Sequence, residues 1–183
     1  MSIAFYIFSP NHAAPSKDTI TQALHLKGWH VVFVEGREMK ESTARILDYA
    51  LLYGARSAKL LAQLKDLLRT GDEAAMDGLF ENEEAAGCEI SVKAPFDARE
   101  GYGEDGLEEF PHEVLEQVAS GKSHYCIRTS AGRSRTSFDL QEAVWKSVGQ
   151  LVDGLLEEPQ MGEFFRVGPK GLETVYPPEP KEG

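Results

Sequence analysis

The sequence predicts an α+β layered sandwich: a mixed sheet built from two β-α-β units, ferredoxin-like in character, with a helical insertion and a C-terminal helix plus hairpin. Three observations carry this expectation. Short apolar runs of strand length alternate with stretches whose apolar residues recur every three or four positions. Gly and Pro mark most of the changes between them. At 183 residues and 42% hydrophobic content, the chain has the size and apolar content for one such core. The domain is assigned to residues 1–176, and the tail 177–183 (PPEPKEG), which offers nothing to bury, is expected to be mobile. No fixed-period repeat is visible, and no Gly-rich turn follows the first strand to favour a doubly wound sheet.

Ile3–Phe8 is a continuous apolar run, as in a strand covered on both faces. Ser16 caps a helix reaching about Lys27, with Ile20, Ala23 and Leu24 on one side. Gly28 ends that helix, and Trp29–Val34 is the next strand. Residues 41–70 read as a helical insertion. Ile46, Leu47, Ala50 and Leu51 form one apolar stripe, Leu60, Leu61, Leu64, Leu67 and Leu68 a second, with Gly54 between them. The leucine stripe is a core signature, since each fully buried leucine is worth roughly 1.5–3 kcal/mol. Cys88–Ala94 is a strand closed by Pro95. Gly101, Gly103 and Gly106 suggest a loop before a helix that opens at Pro111 and stops near Gly121. Ser123–Thr129 is a strand and Ser130–Ser137 a polar loop. Asp139 and Glu142 resemble a capping box for a helix whose stripe runs from Leu140 to Leu155. Glu163–Val167 and Leu172–Val175 form a terminal hairpin.

The net charge is −11, from 19 basic and 30 acidic residues. A sequence pI of about 4.9 argues against nucleic acid and anionic membrane surfaces as partners. The opening apolar run is too short for a membrane span and has no basic flank for a signal peptide, so a cytoplasmic location is expected. Cys88 and Cys126 lie in separate strand-like runs and read as reduced, buried thiols. The negative charge is concentrated: residues 72–84 carry −6 and residues 97–116 carry −7, leaving +2 for the rest of the chain.

Few motifs carry chemistry. The five histidines never stand three or four apart, and Pro111 interrupts the Glu109-x-x-His112 spacing. No metal or cofactor is therefore expected. Nucleophile elbows are absent, and a Cys126–His124 pair has only strand spacing to recommend it. The segment Arg128–Ser137 places Arg128, Arg133 and Arg135 among hydroxyl residues before a helix N-terminus, as in many phosphate or carboxylate sites. The chain's own acids are equally suitable targets for those arginines.

Two functions follow. The first is a non-catalytic module whose acidic surface docks on a basic protein. An intracellular inhibitor of the bacterial immunity-protein or antitoxin kind, acting on a basic toxin, fits by analogy of size and charge. Its contact residues are Asp72, Glu73, Asp77, Glu81, Glu83, Glu84, Glu104, Asp105, Glu108 and Glu109. The alternative is an enzyme or small-ligand sensor that binds a phosphate or carboxylate group through Arg128, Arg133 and Arg135.

Overall fold

The computed structural model describes residues 3–35, 40–41, 49–129 and 134–177. These form a nine-stranded sheet and six helices. The strands are β1 (Ile3–Ser9), β2 (His30–Glu35), β3 (Lys40–Glu41), β4 (Tyr49–Ala55), β5 (Ala86–Lys93), β6 (Ser123–Thr129), β7 (Leu155–Glu158), β8 (Glu163–Gly168) and β9 (Gly171–Tyr176). The helices are α1 (Lys17–His25), α2 (Ala58–Thr70), α3 (Glu73–Glu81), α4 (Ala98–Glu109), α5 (His112–Ser120) and α6 (Arg135–Leu151). Across the sheet the order is β3-β2-β4-β5-β6-β1-β7-β8-β9.

The α+β class is as expected, but the described residues do not show the mixed sheet or the ferredoxin-like layout of two β-α-β units. Every described neighbour pair is antiparallel. Chain reversal explains this. A single helix carries the chain back along the sheet, so β1 and β2, joined by α1, run the same way, as do β6 and β7, joined by α6. In both cases other strands lie between them. Helix pairs undo the reversal. The α2–α3 and α4–α5 connections therefore join antiparallel neighbours, β4 to β5 and β5 to β6. The second expected β-α-β unit is one of these.

Helices cover both faces of the sheet. On the first face, α1 and α6 pack over Phe5 and Ile7 of β1, Val31 and Phe33 of β2, Leu52 of β4, Ile90 of β5 and Ile127 of β6. Polar atoms tie α6 to the sheet beneath it. Gln141 Nε2 donates to the Ile3 and Ile127 carbonyls at 2.9 and 2.8 Å, while its Oε1 accepts from Thr129 Oγ1. Trp145 Nε1 donates to the Tyr6 carbonyl at 2.9 Å. These side chains satisfy polar groups that burial would otherwise leave costly. The second face carries two separate helix pairs. Leu64 and Leu68 of α2 and Leu79 of α3 pack on Val32 and Val34 of β2. Val114 and Val118 of α5, with Tyr102 of α4, pack on Phe8 of β1, Leu155 of β7 and Phe164 of β8.

Several elements differ from the sequence expectation. Residues 49–55 are a strand, not part of a helical insertion, because Ala50 and Leu52 are buried on one face and Tyr49, Leu51 and Tyr53 lie on the other. Residues 42–48 of that expected insertion lie outside the described residues. The acidic stretch 72–84 contains α3, capped by Asp72 Oδ1 accepting from the Ala75 amide and anchored by Leu79. The glycine-rich segment is helical, with its two halves joined at Gly103 in the left-handed region, φ 70°. Helix α6 is capped by Ser134 and begins before Asp139, and its apolar stripe stops at Leu151, since Leu155 belongs to β7. The terminal hairpin is present as expected and extends the same sheet. Within the tail, residues 178–183 lie outside the described residues.

Candidate functional site

Residues paired directly across a sheet share a face. On the second face this produces three cross-strand rows at the centre of the sheet. The first runs Leu51–Glu89–Arg128–Ala4, and the second Tyr49–Ser91–Cys126–Tyr6–Glu157. The third runs Lys93–His124–Phe8–Leu155. The middle of this face is thus polar, while the corresponding positions on the first face are Ile90, Tyr125 and Ile127 of the core. The α2–α3 pair stands on one side of the polar strip, over β2 and β4, and the α4–α5 pair on the other, over β1, β7 and β8.

At the strip's centre, Arg128 donates from Nε and Nη2 to Glu89 Oε2 at 2.9 and 2.6 Å. The pair remains open to solvent, with side chains 51% and 25% exposed. The site is therefore not roofed by either helix pair. A half-exposed ion pair adds about 0–1 kcal/mol to stability; its larger effect is to neutralise a charge on the floor.

Toward β7 the strip becomes buried. The Tyr102 hydroxyl of α4 donates to Glu157 Oε2 at 2.9 Å. Burial raises the Glu157 carboxyl to a pKa of about 7, against the hydrogen bond from Tyr102, which lowers it. The Tyr102 phenol is pushed far up by burial, with the nearby Glu157 adding to the effect, so it stays protonated and donates. Burial likewise raises the Cys126 thiol and lowers the His124 imidazole. The His124 ring, with Nδ1 2.8 Å from the Ala94 carbonyl, lies among Phe8, Phe96 and Tyr6. For Cys126, burial outweighs the nearby Lys93 and Arg128 charges, which act to lower the thiol, so the thiol is not activated as a nucleophile. Cys88 is free as well and faces the first-face core, so the two thiols lie on opposite sides of the sheet.

A pocket of about 570 Å³ opens where α3 meets the floor. Leu51 and Tyr53 of β4, Phe80 of α3 and Gly87 of β5 supply its apolar lining. Asp77, Glu81, Glu83 and Glu89 supply carboxylates, with Arg128 the described cation among the lining residues. Gly87 has a structural reason to lack a side chain: a Cβ there would come within 3.2 Å of the Tyr53 ring.

The helices that carry the two acidic segments pack on the same face of the sheet. Asp72, Glu73, Asp77, Glu81, Glu83 and Glu84 lie on α3 and its flanks; Glu104, Asp105, Glu108 and Glu109 lie on α4. All ten are exposed, and none forms an ion pair among the described residues. They stand on the two walls of the polar strip. Of the expected anion clamp, two arginines are among the described residues. Arg128 is engaged by Glu89, Arg135 is exposed at the start of α6, and Arg133 lies outside the described residues. Tyr53, Phe80, Glu89, Tyr102 and Glu157 were not singled out from the sequence. The signal for Glu89 was available in the alternation Gly87, Glu89, Ser91, Lys93 within an apolar strand.

Among the described residues no group of three or more His, Cys, Asp or Glu is placed to hold a metal ion, and no helix is long and apolar enough to cross a membrane. A scan against protein-family models and searches of curated proteins and of solved structures found no match to this chain.

Proposed function

We propose that the chain is a non-catalytic binding module that receives a basic protein on the second face of its sheet. One observation supports this reading above the others: two acidic segments, separated in the chain by β5, fold onto opposite walls of one open strip, and the ten carboxylates named above are exposed and form no ion pair among the described residues. Charge of one sign focused on one face speeds encounter with an oppositely charged partner and selects against others. Inhibition of a basic toxin, in the manner of an immunity protein or antitoxin, is a role in which such a face works. The anion-binding alternative is weaker, because the Arg128 guanidinium is already taken by Glu89.

A twelve-residue oligoarginine peptide serves as the test ligand, with oligoglutamate as control, read by fluorescence anisotropy. Binding is expected to weaken steeply between about 50 and 300 mM salt as the Debye length contracts. Replacing Asp77→Asn, Glu81→Gln, Glu104→Gln and Asp105→Asn together should reduce affinity by at least roughly tenfold at the lower salt. Undiminished binding by that variant, or none by the parent protein, refutes the proposal.

A further inference from the structure

We infer that the pocket between α3 and the β4–β5 floor is the seat for one arginine side chain of the basic partner, while the remaining carboxylates act through their field. This rests on the basic-partner reading and deepens it. The pocket combines the features that separate guanidinium recognition from attraction of any cation. Tyr53 and Phe80 present ring surface at its apolar side, their centroids 5.9 Å apart and tilted by 55°. A planar, weakly hydrated guanidinium gains from contact with such surface more than a strongly hydrated ammonium does. Asp77, Glu81 and Glu83 line the same space, and none forms an ion pair among the described residues. A guanidinium can meet carboxylates with two N–H groups at once.

The molecule shows this chemistry twice on its own account. Arg128, itself a lining residue, engages Glu89 Oε2 through two nitrogens. Elsewhere, the Arg56 guanidinium lies 3.7 Å from the centre of the Trp29 ring. The pocket offers both kinds of contact in one place, and its volume of about 570 Å³ accommodates a whole arginine side chain.

The test compares equal changes of charge at two places. The pocket double variant is Asp77→Asn with Glu81→Gln; the control, Glu104→Gln with Asp105→Asn, removes the same charge from α4. All four side chains are exposed, and circular dichroism verifies that each variant folds. Hexaarginine and hexalysine peptides are titrated against each protein. The parent is expected to bind hexaarginine about fivefold tighter than hexalysine, the scale of a partly desolvated cation–π contact. The pocket variant should lose roughly tenfold for hexaarginine and the control about twofold, since distant exposed charges are screened. Phe80→Leu, which keeps the apolar volume without the ring, should bring the two peptides to similar affinities. Equal losses in the two double variants, or equal binding of both peptides by the parent, overturns the arginine seat while leaving the basic-partner reading standing. If neither peptide binds the parent, both fall together.

Discussion

At position 157 a carboxyl group lies 3% exposed on β7, with the Tyr102 hydroxyl 2.9 Å away. Burial raises its pKa from the ordinary 4.5 to about 7, so the folded state holds this proton more tightly than the unfolded chain. The sign of the linkage follows. The group's contribution to stability is fully present below about pH 4.5, declines as pH rises, and is lost above about pH 7. The full span is on the order of 3 kcal/mol, at about 1.4 kcal/mol per pKa unit. Glu157→Gln removes the ionisation while keeping an acceptor for Tyr102. Urea denaturation of both proteins from pH 5 to 8 should show the variant gaining on the parent as pH rises. Parallel pH profiles would mean that Glu157 ionises as an ordinary exposed glutamate does. Gln141 illustrates the opposite case, a buried neutral side chain with its donors and acceptor engaged. Gln141→Leu leaves the Thr129 hydroxyl and strand carbonyls without it, and should cost about 2–4 kcal/mol in the same assay.

Among the elements, α2 reads most directly from the sequence. Its leucines recur at helical spacing, Ser57 caps it by accepting from the Leu60 amide, and Gly71 closes it in the left-handed region. Leu64 is completely buried, and Leu64→Ala should cost about 2–5 kcal/mol in equilibrium unfolding, the usual range for a core leucine. A loss below 1 kcal/mol would indicate that the stripe is not core. Strand β4 does not read from the sequence in this way. In Ala50-Leu51-Leu52 apolar residues occupy both faces, so helical and strand periods fit equally well, and only packing from both sides selects the strand. Gly54 on that strand has room for no more: a Cβ would lie 3.2 Å from side chains of Leu140 and Val31. Gly54→Val should therefore destabilise by about 1–3 kcal/mol through overpacking. Glycine content misled only in part in α4: Gly103, at φ 70° and ψ −179°, breaks the segment with a kink, but the chain on either side of it is helical rather than a loop.

For the whole molecule, strand positions were largely legible because apolar runs reveal them, whereas strand order was not. Whether a connection returns parallel or antiparallel depends on the number of helices in it, and of the helices in the acidic segments α3 and α4 were hidden by charge and glycine, while α5 was legible. The site was half legible for the same reason. Composition identifies the ten carboxylates, but only the sheet register places α3 and α4 on one face and sets Glu89 beside Arg128. Tyr53 and Phe80 lie far apart in the chain and meet only through the packing of α3 on β4. The shared-face arrangement is tested most directly by mapping backbone amide shifts by NMR while titrating the twelve-residue oligoarginine peptide. Shifts should concentrate on α3, α4 and the intervening strands β5 and β6, with α1 and the exposed side of α6 unmoved. Shifts spread over both faces of the sheet, or confined to one acidic wall, would contradict a single surface built from both segments.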